Sequence, residues 1–192
     1  SHDIFLFLDH LMYIFELANK KRRYTMILEQ LKPRKALNKA YLKLKPDREK
    51  IDIFKANLIQ LLDRIDDTES EEYHKNLISD FLKQTYYEGR HYINTKDRAD
   101  LVIHNDKNRA STVGVIVETK RPTNKWEMIT TKEINAKAFH ELLLYYLRER
   151  ITNNNLEMRN LIVTNIYQWY IFDANVFERL FAQNKQMVKE FK

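Results

Sequence analysis

Two short runs of aliphatic residues constrain this chain more than anything else in it: Leu101-Val102-Ile103 and Val113-Gly114-Val115-Ile116-Val117. Both read as strands, and the polar stretch Asn105–Thr112 between them suits a hairpin loop. Each run carries charge at one end. Asp100 opens the first, and Glu118-Thr119-Lys120 closes the second. Side chains alternate faces along a strand, so Glu118 and Lys120 point one way and Thr119 the other. Across an antiparallel pair the Asp100 carboxylate can meet Glu118. The expectation is two carboxylates and one ammonium at adjacent strand ends.

That set of groups has a chemistry. A hard divalent cation such as Mg²⁺ takes oxygen ligands, and one or two carboxylates are its usual protein anchors. A lysine beside the cation can hold the attacking water, and the combination suits hydrolysis of a phosphodiester. A Glu-x-Lys triplet alone carries little, because 33 Lys and Arg and 27 Asp and Glu among 192 residues generate such triplets by accident. Glu190-Phe191-Lys192 is a second one, in a polar helical pattern with no strand before it. A lone triplet reads as a surface ion pair worth about 0–1 kcal/mol. The apolar strand before Glu118, the upstream Asp100 and the following Arg121-Pro122 set the first triplet apart.

The rest of the chain reads as helices around those strands. With 2 Gly and 3 Pro it favours long helices and short connections, and it holds no glycine-rich phosphate loop. Residues 3–31 carry a helical apolar pattern, Pro33 and Pro46 flank a short helix, and residues 47–66 form another with Ile51, Phe54, Leu58, Leu61, Leu62 and Ile65 on one stripe. Asp66-Asp67-Thr68 is a turn and helix-cap signal, followed by a helix from Glu69 to Tyr87 with Leu77, Ile78, Phe81 and Leu82 inward. If that helix packs on the sheet, Glu71 and not Glu72 is the carboxylate nearer the strand ends, and the alternative is an ordinary first-turn acid favoured by the helix dipole. A weak strand at Tyr92–Asn94, a helix at Thr131–Ile151, strands at Leu161–Thr164 and Trp169–Phe172, and one last helix capped by Asp173 or Asn175 complete the order. The order predicts a mixed α/β sandwich around a central sheet, with residues 1–66 as a helical N-terminal extension and 67–192 as the core.

Within the 131–151 helix, Ala136, His140, Leu143 and Leu147 share an apolar face, so His140 reads as a satisfied core histidine. Glu133, Lys137 and Glu141 form an i,i+4 ladder read as helix support. Trp126 and Tyr86-Tyr87 could stack on bases, although aromatics in or near helices are more often core.

Charge and composition narrow the partners. Residues 1–50 hold 12 Lys and Arg against 6 Asp and Glu, while 51–192 are balanced at 21 each, so the net +6 lies in the arm containing Lys20-Lys21-Arg22-Arg23, Lys32, Lys35 and Lys39. A basic arm ahead of a neutral core suits a polyanion such as double-stranded DNA. With Cys 0, disulfides and thiolate sites are excluded and a cytoplasmic setting is expected; the 6 His lack metal-ligand spacing. The greasiest stretch, Ile4–Leu8, is cut short by Asp9 and His10, so no membrane span is expected.

The run Arg98-Ala99-Asp100-Leu-Val-Ile, then Val115-Ile-Val-Glu118-Thr-Lys120-Arg-Pro122-Thr-Asn124, then Asn135-Ala-Lys-Ala-Phe-His-Glu-Leu-Leu-Leu-Tyr-Tyr146 resembles the PD-(D/E)xK nuclease superfamily. More narrowly it is similar to the N-terminal nuclease domain of type IIG, Eco57I-like restriction–modification enzymes, over residues 34 to 192. The resemblance implies a restriction-endonuclease-like α/β core and a metal-dependent endodeoxyribonuclease. It implies Asp100, Glu118 and Lys120 as catalytic residues. Mg²⁺ would be held by Asp100, Glu118 and the Thr119 carbonyl, with Glu71 as a further candidate ligand. Arg121, Lys125 and Lys35 are the candidate DNA contacts. Ala99 stands where the family's name has proline, and His140 stands near where many branches present Gln. A methyltransferase and a target-recognition domain would lie downstream in the native chain. The competing reading is a non-catalytic DNA-binding or protein-interaction domain whose acidic cluster is structural.

Overall fold

The computed structural model describes residues 31–36, 39, 40, 43, 45, 47–96 and 99–192. All of the apolar pattern at 3–31 but Leu31, the basic run Lys20–Arg23, Pro46 and Arg98 lie outside the described residues. Among the described residues five strands form one sheet in sequence order: β1 (Ile93–Lys96), β2 (Ala99–His104), β3 (Val113–Thr119), β4 (Asn160–Thr164) and β5 (Trp169–Asp173). The expected hairpin is present, with β2 antiparallel to β3 in the register Leu101↔Val117 and Val102↔Ile116. The β3–β4 pair is parallel, with Glu118 opposite Val163 and Thr119 opposite Thr164. Helices on both faces make the mixed α/β sandwich that the element order predicts.

Strand alternation splits the core into two clusters. Leu101, Ile103 and Val117 pack against helix α3 (Glu71–Leu82) through Leu77, Ile78, Phe81 and Leu82. Helix α2 (Arg48–Asp63), which follows the short α1 (Pro33–Ala36), adds Leu61 to the same cluster, so this part of the sequence-defined extension packs on the core. On the other face Val102, Ile116, Leu161 and Val163 meet Phe139, Leu142, Leu143 and Tyr146 of helix α4 (Lys137–Leu147), together with Phe177 and Phe181. Each such fully buried side chain stabilises the fold by about 1.5–3 kcal/mol. A single glycine, Gly114, lets β3 pass the Asn105 side chain: a Cβ there would lie 2.3 Å from Asn105 Oδ1. Asn105 uses that closeness to donate to Thr112 Oγ1 across the hairpin loop.

Three boundaries differ from the sequence reading, each because a polar side chain bonds the backbone locally. Asp66 closes its own turn by accepting from Thr68, and the cap of α3 is Ser70, whose hydroxyl accepts from the Tyr73 N–H. Helix α4 starts at Lys137 and not at Thr131, because Thr130 Oγ1 accepts from the Lys132 and Glu133 N–H groups and folds that segment into a turn. The single last helix is two: α5 (Ala174–Phe177), capped by Asp173 and continued by a wider turn to Ala182, and α6 (Lys185–Phe191). Asn184 separates them, accepting from Gln186 and Met187 as an N-cap. Among the described residues no helix is long and apolar enough to cross a membrane.

Candidate active site

The C-terminal end of β3 carries Glu118, Thr119 and Lys120, and it is more buried than a strand end usually is. Glu118 is 2% exposed and Lys120 3%. The backbone keeps strand geometry through this point, because the Lys120 N–H donates to the Thr164 carbonyl of β4 at 2.8 Å. The Lys120 side chain then lies among carboxylates. Its Nζ donates to Glu118 Oε1 at 2.5 Å and to Glu141 Oε2 at 2.8 Å, with Glu71 Oε1 at 3.6 Å. Glu71 reaches in from the first turn of α3 on one face of the sheet and Glu141 from α4 on the other. Both helices therefore converge on one ammonium.

Asp100 enters by a different route. Its Oδ2 accepts from both the Thr119 N–H and the Thr119 hydroxyl, each at 2.8 Å. These two bonds tie the start of β2 to the end of β3 and hold the Asp100 carboxylate beside the cluster. Its negative charge is felt at Glu118. Burial, then Asp100, then Glu141 drive the Glu118 pKa well above the usual carboxylate range, against the opposing pull of Lys120. Burial pulls the Lys120 ammonium downward, but the charges and hydrogen bonds of Glu118 and Glu141 outweigh it, and its pKa rises. Lys120 is thus held protonated, and burial with the neighbouring carboxylates makes Glu118 hard to ionise.

The placements can be compared with those expected residue by residue. Asp100, Glu118, Thr119, Lys120 and Glu71 gather at one strand end, and Glu72 turns away to pair with Lys75. Arg121 and Lys125 are exposed on the loop that follows Lys120, and neither makes an ion pair among the described residues. Lys35 is exposed on α1, and no ion pair or side-chain hydrogen bond joins it to the cluster. His140 is buried on α4 and its Nε2 is 2.7 Å from Asn135 Oδ1, outside the acidic group, as its place on the apolar face suggested.

The reading of Glu133, Lys137 and Glu141 as a helix-supporting ladder holds only in part, since Lys137 keeps Glu141 at 3.9 Å. Glu133 precedes α4, Lys137 pairs with Glu127 at 2.8 Å, and Glu141 serves Lys120. Glu141 is the principal site residue that sequence reasoning missed. Tyr145 lies one turn further along α4. Burial raises its phenol's pKa, and the nearby charges of Glu118, Glu141 and Asp100 raise it further.

The donor chemistry fits a hard divalent cation. Every candidate ligand is an oxygen, and Glu118 Oε2 is buried without a hydrogen-bond partner. A buried carboxylate oxygen in that condition costs about 1–3 kcal/mol or more, so it needs a reason. In the side-chain arrangement described, Lys120 and Thr119 draw the carboxylates onto themselves, and no three His, Cys, Asp or Glu side chains among the described residues form a ready metal-binding group.

No curated protein and no solved structure matches the chain. A family model described as a domain of unknown function, DUF7149, matches residues 31–192, a span that holds the whole sheet and every member of the acidic cluster. The chain belongs to the DUF7149 family.

Proposed function

We propose that this chain is a Mg²⁺-dependent DNA endonuclease module that hydrolyses phosphodiester bonds, the cleavage domain of a restriction–modification enzyme. The observation that carries the reading is the buried Lys120 ammonium between Glu118 and Glu141 at the end of β3, beside Asp100, with Glu118 Oε2 left without a partner. Asp100, Glu118 and the Thr119 carbonyl would hold the cation, with Glu71 at the edge of the set. When bound, Mg²⁺ supplies positive charge to the scissile phosphate and lowers the pKa of water. Lys120 Nζ, already protonated and directed by two carboxylates, holds the attacking water or its hydroxide by donating to its oxygen. Arg121 and Lys125 contact flanking phosphates. A cytoplasmic setting and downstream methyltransferase and target-recognition domains belong to the same reading.

A structural role for the acids, in which they only neutralise Lys120, accounts for the ion pairs; the orphaned Glu118 Oε2 favours the cation over it. The test is nicking of a supercoiled plasmid by the full-length native protein with Mg²⁺ and with EDTA. Mg²⁺-dependent nicking that disappears in Asp100→Asn and Glu118→Gln supports the proposal. Absence of nicking, or nicking indifferent to both substitutions, overturns it.

A further inference from the structure

The loop that leaves Lys120 presents an aromatic ring to solvent in a way that packing does not explain. Trp126 is 96% exposed, although a tryptophan typically buries 150–250 Å² when it packs. Its loop is firmly anchored on both sides. Asn124 Nδ2 donates to Glu127 Oε2 at 2.9 Å, Lys137 Nζ donates to Glu127 Oε1 at 2.8 Å, and Met128 and Ile129 are buried in the core. The ring therefore stands outward from a fixed base, six residues after Lys120. Arg121 and Lys125, exposed and without ion pairs among the described residues, flank it.

A second exposed ring opens at the same edge. Because β3 and β4 are parallel, the β4–β5 turn begins where β3 ends, and Thr164 accepts the Lys120 N–H there. Tyr167 lies in that turn and is 63% exposed. The turn is held against its own preference: Ile166 has φ 75°, a conformation that β-branched residues avoid. Three side-chain bonds hold it, from the Ile166 N–H to Thr164 Oγ1 (3.1 Å), from the Gln168 N–H to Asn165 Oδ1 (2.8 Å) and from Trp169 Nε1 to the Ile166 carbonyl (2.8 Å). Tyr86, by contrast, leans on Phe54 and Phe81 and is explained by packing.

Resting on the nuclease reading, we infer that Trp126 and Tyr167 are stacking platforms for unpaired bases of the DNA strand that enters the site, with Arg121 and Lys125 on its phosphates. Rings offered to solvent beside unpaired cations match a ligand that is at once aromatic and anionic. Stacking requires an open base face, which a continuous duplex denies, so the substrate has single-stranded character at the point of cleavage. Ring stacking of this kind strengthens binding by roughly 5- to 150-fold per base.

The test is binding of a fluorescein-labelled single-stranded oligonucleotide and of its duplex to the full chain, in EDTA so that no cleavage intervenes. Trp126→Ala and Tyr167→Ala should each weaken single-strand binding about 10-fold, with Trp126→Phe near wild type and duplex binding far less affected. In a Trp169→Phe background Trp126 is the sole tryptophan, and its emission should be quenched by the single strand. A change under about 2-fold in both alanine variants, or quenching by other proteins and not by the oligonucleotide, overturns the inference. Nicking that persists with unaltered single-strand affinity in the variants rejects the platform and spares the nuclease. Weakened binding in a protein that never nicks rejects the nuclease and keeps the platform.

Discussion

Glu141 and Lys120 come from different elements, 21 residues apart, and meet at 2.8 Å across the end of the sheet. Glu141→Gln keeps an acceptor oxygen at that point and removes its charge. The Lys120 ammonium would then lean more heavily on Glu118, the carboxylate proposed to hold the cation, with Glu71 at 3.6 Å. Exchanging a charged hydrogen bond for a neutral one should cost about 1 kcal/mol. The expected outcome is a lower unfolding temperature and nicking that needs more Mg²⁺. Thermal melts and a Mg²⁺ titration check it, and an unchanged Mg²⁺ requirement would count against Glu141 as a site residue.

Lys120 should matter for stability as well as for the proposed chemistry. Its removal leaves Glu118 buried with a raised pKa and no counter-charge, a situation that costs about 3–5 kcal/mol in proteins. Lys120→Met should therefore lower the urea midpoint markedly, and not merely abolish nicking. The sign of the pH dependence follows from the same carboxylate. A carboxyl whose folded pKa lies above its unfolded value is best tolerated when protonated, so its penalty grows as pH rises. The deficit of Lys120→Met relative to wild type should be larger at pH 8 than at pH 5.5. A deficit that shrinks on going to pH 8 would show that Glu118 is not the group left exposed to the core.

Asp100→Ala and Asp100→Asn should separate structure from chemistry. Alanine leaves the Thr119 N–H and hydroxyl without their acceptor, which should destabilise the fold by about 1–3 kcal/mol. Asparagine retains an oxygen that can accept both bonds, and should melt within a few degrees of wild type. Both should fail to nick under the proposed mechanism. Equal destabilisation by the two substitutions would mean that the Asp100 charge, and not its acceptor oxygen, secures the strand ends.

Asp100, Glu118 and Lys120 were legible in sequence because strand alternation and a hairpin are local rules, and β2 and β3 obey them over the relevant residues. Glu71 was legible because the apolar stripe of α3 defines which face turns to the sheet. Glu141 was hidden. At i,i+4 from Lys137 it has a satisfactory local explanation, a pairing kept at 3.9 Å, and only the packing of α4 against the strand end brings it to Lys120 as well. The early part of the expected 131–151 helix was misread for a related reason, since periodicity counts apolar residues and overlooks the Thr130 hydroxyl competing for backbone N–H groups. The break at Asn184 was readable in principle, as an N-cap residue inside an otherwise helical run. The exposure of Trp126 had no sequence signal, because Met128 and Ile129, two and three residues on, turn inward.

His140 supplies a test of the fold that is independent of any activity. It is buried among the apolar side chains of α4 and hydrogen-bonded to Asn135, and burial lowers its pKa despite the adjacent Glu141. A histidine whose folded pKa is depressed favours the folded state while neutral. That contribution is complete above the unfolded value near 6.5 and is lost as pH falls through the folded pKa. Stability should therefore decline on acidification below about pH 6.5. His140→Gln removes the titrating group, so the difference in unfolding free energy between wild type and variant should shrink as pH falls. The slope of that difference is at most about 1.4 kcal/mol per pH unit for one proton. Urea unfolding of both proteins between pH 7.5 and 5 measures it. A difference that stays constant across the range would mean that His140 titrates alike in the folded and unfolded chains, and that the imidazole is not held neutral against α4.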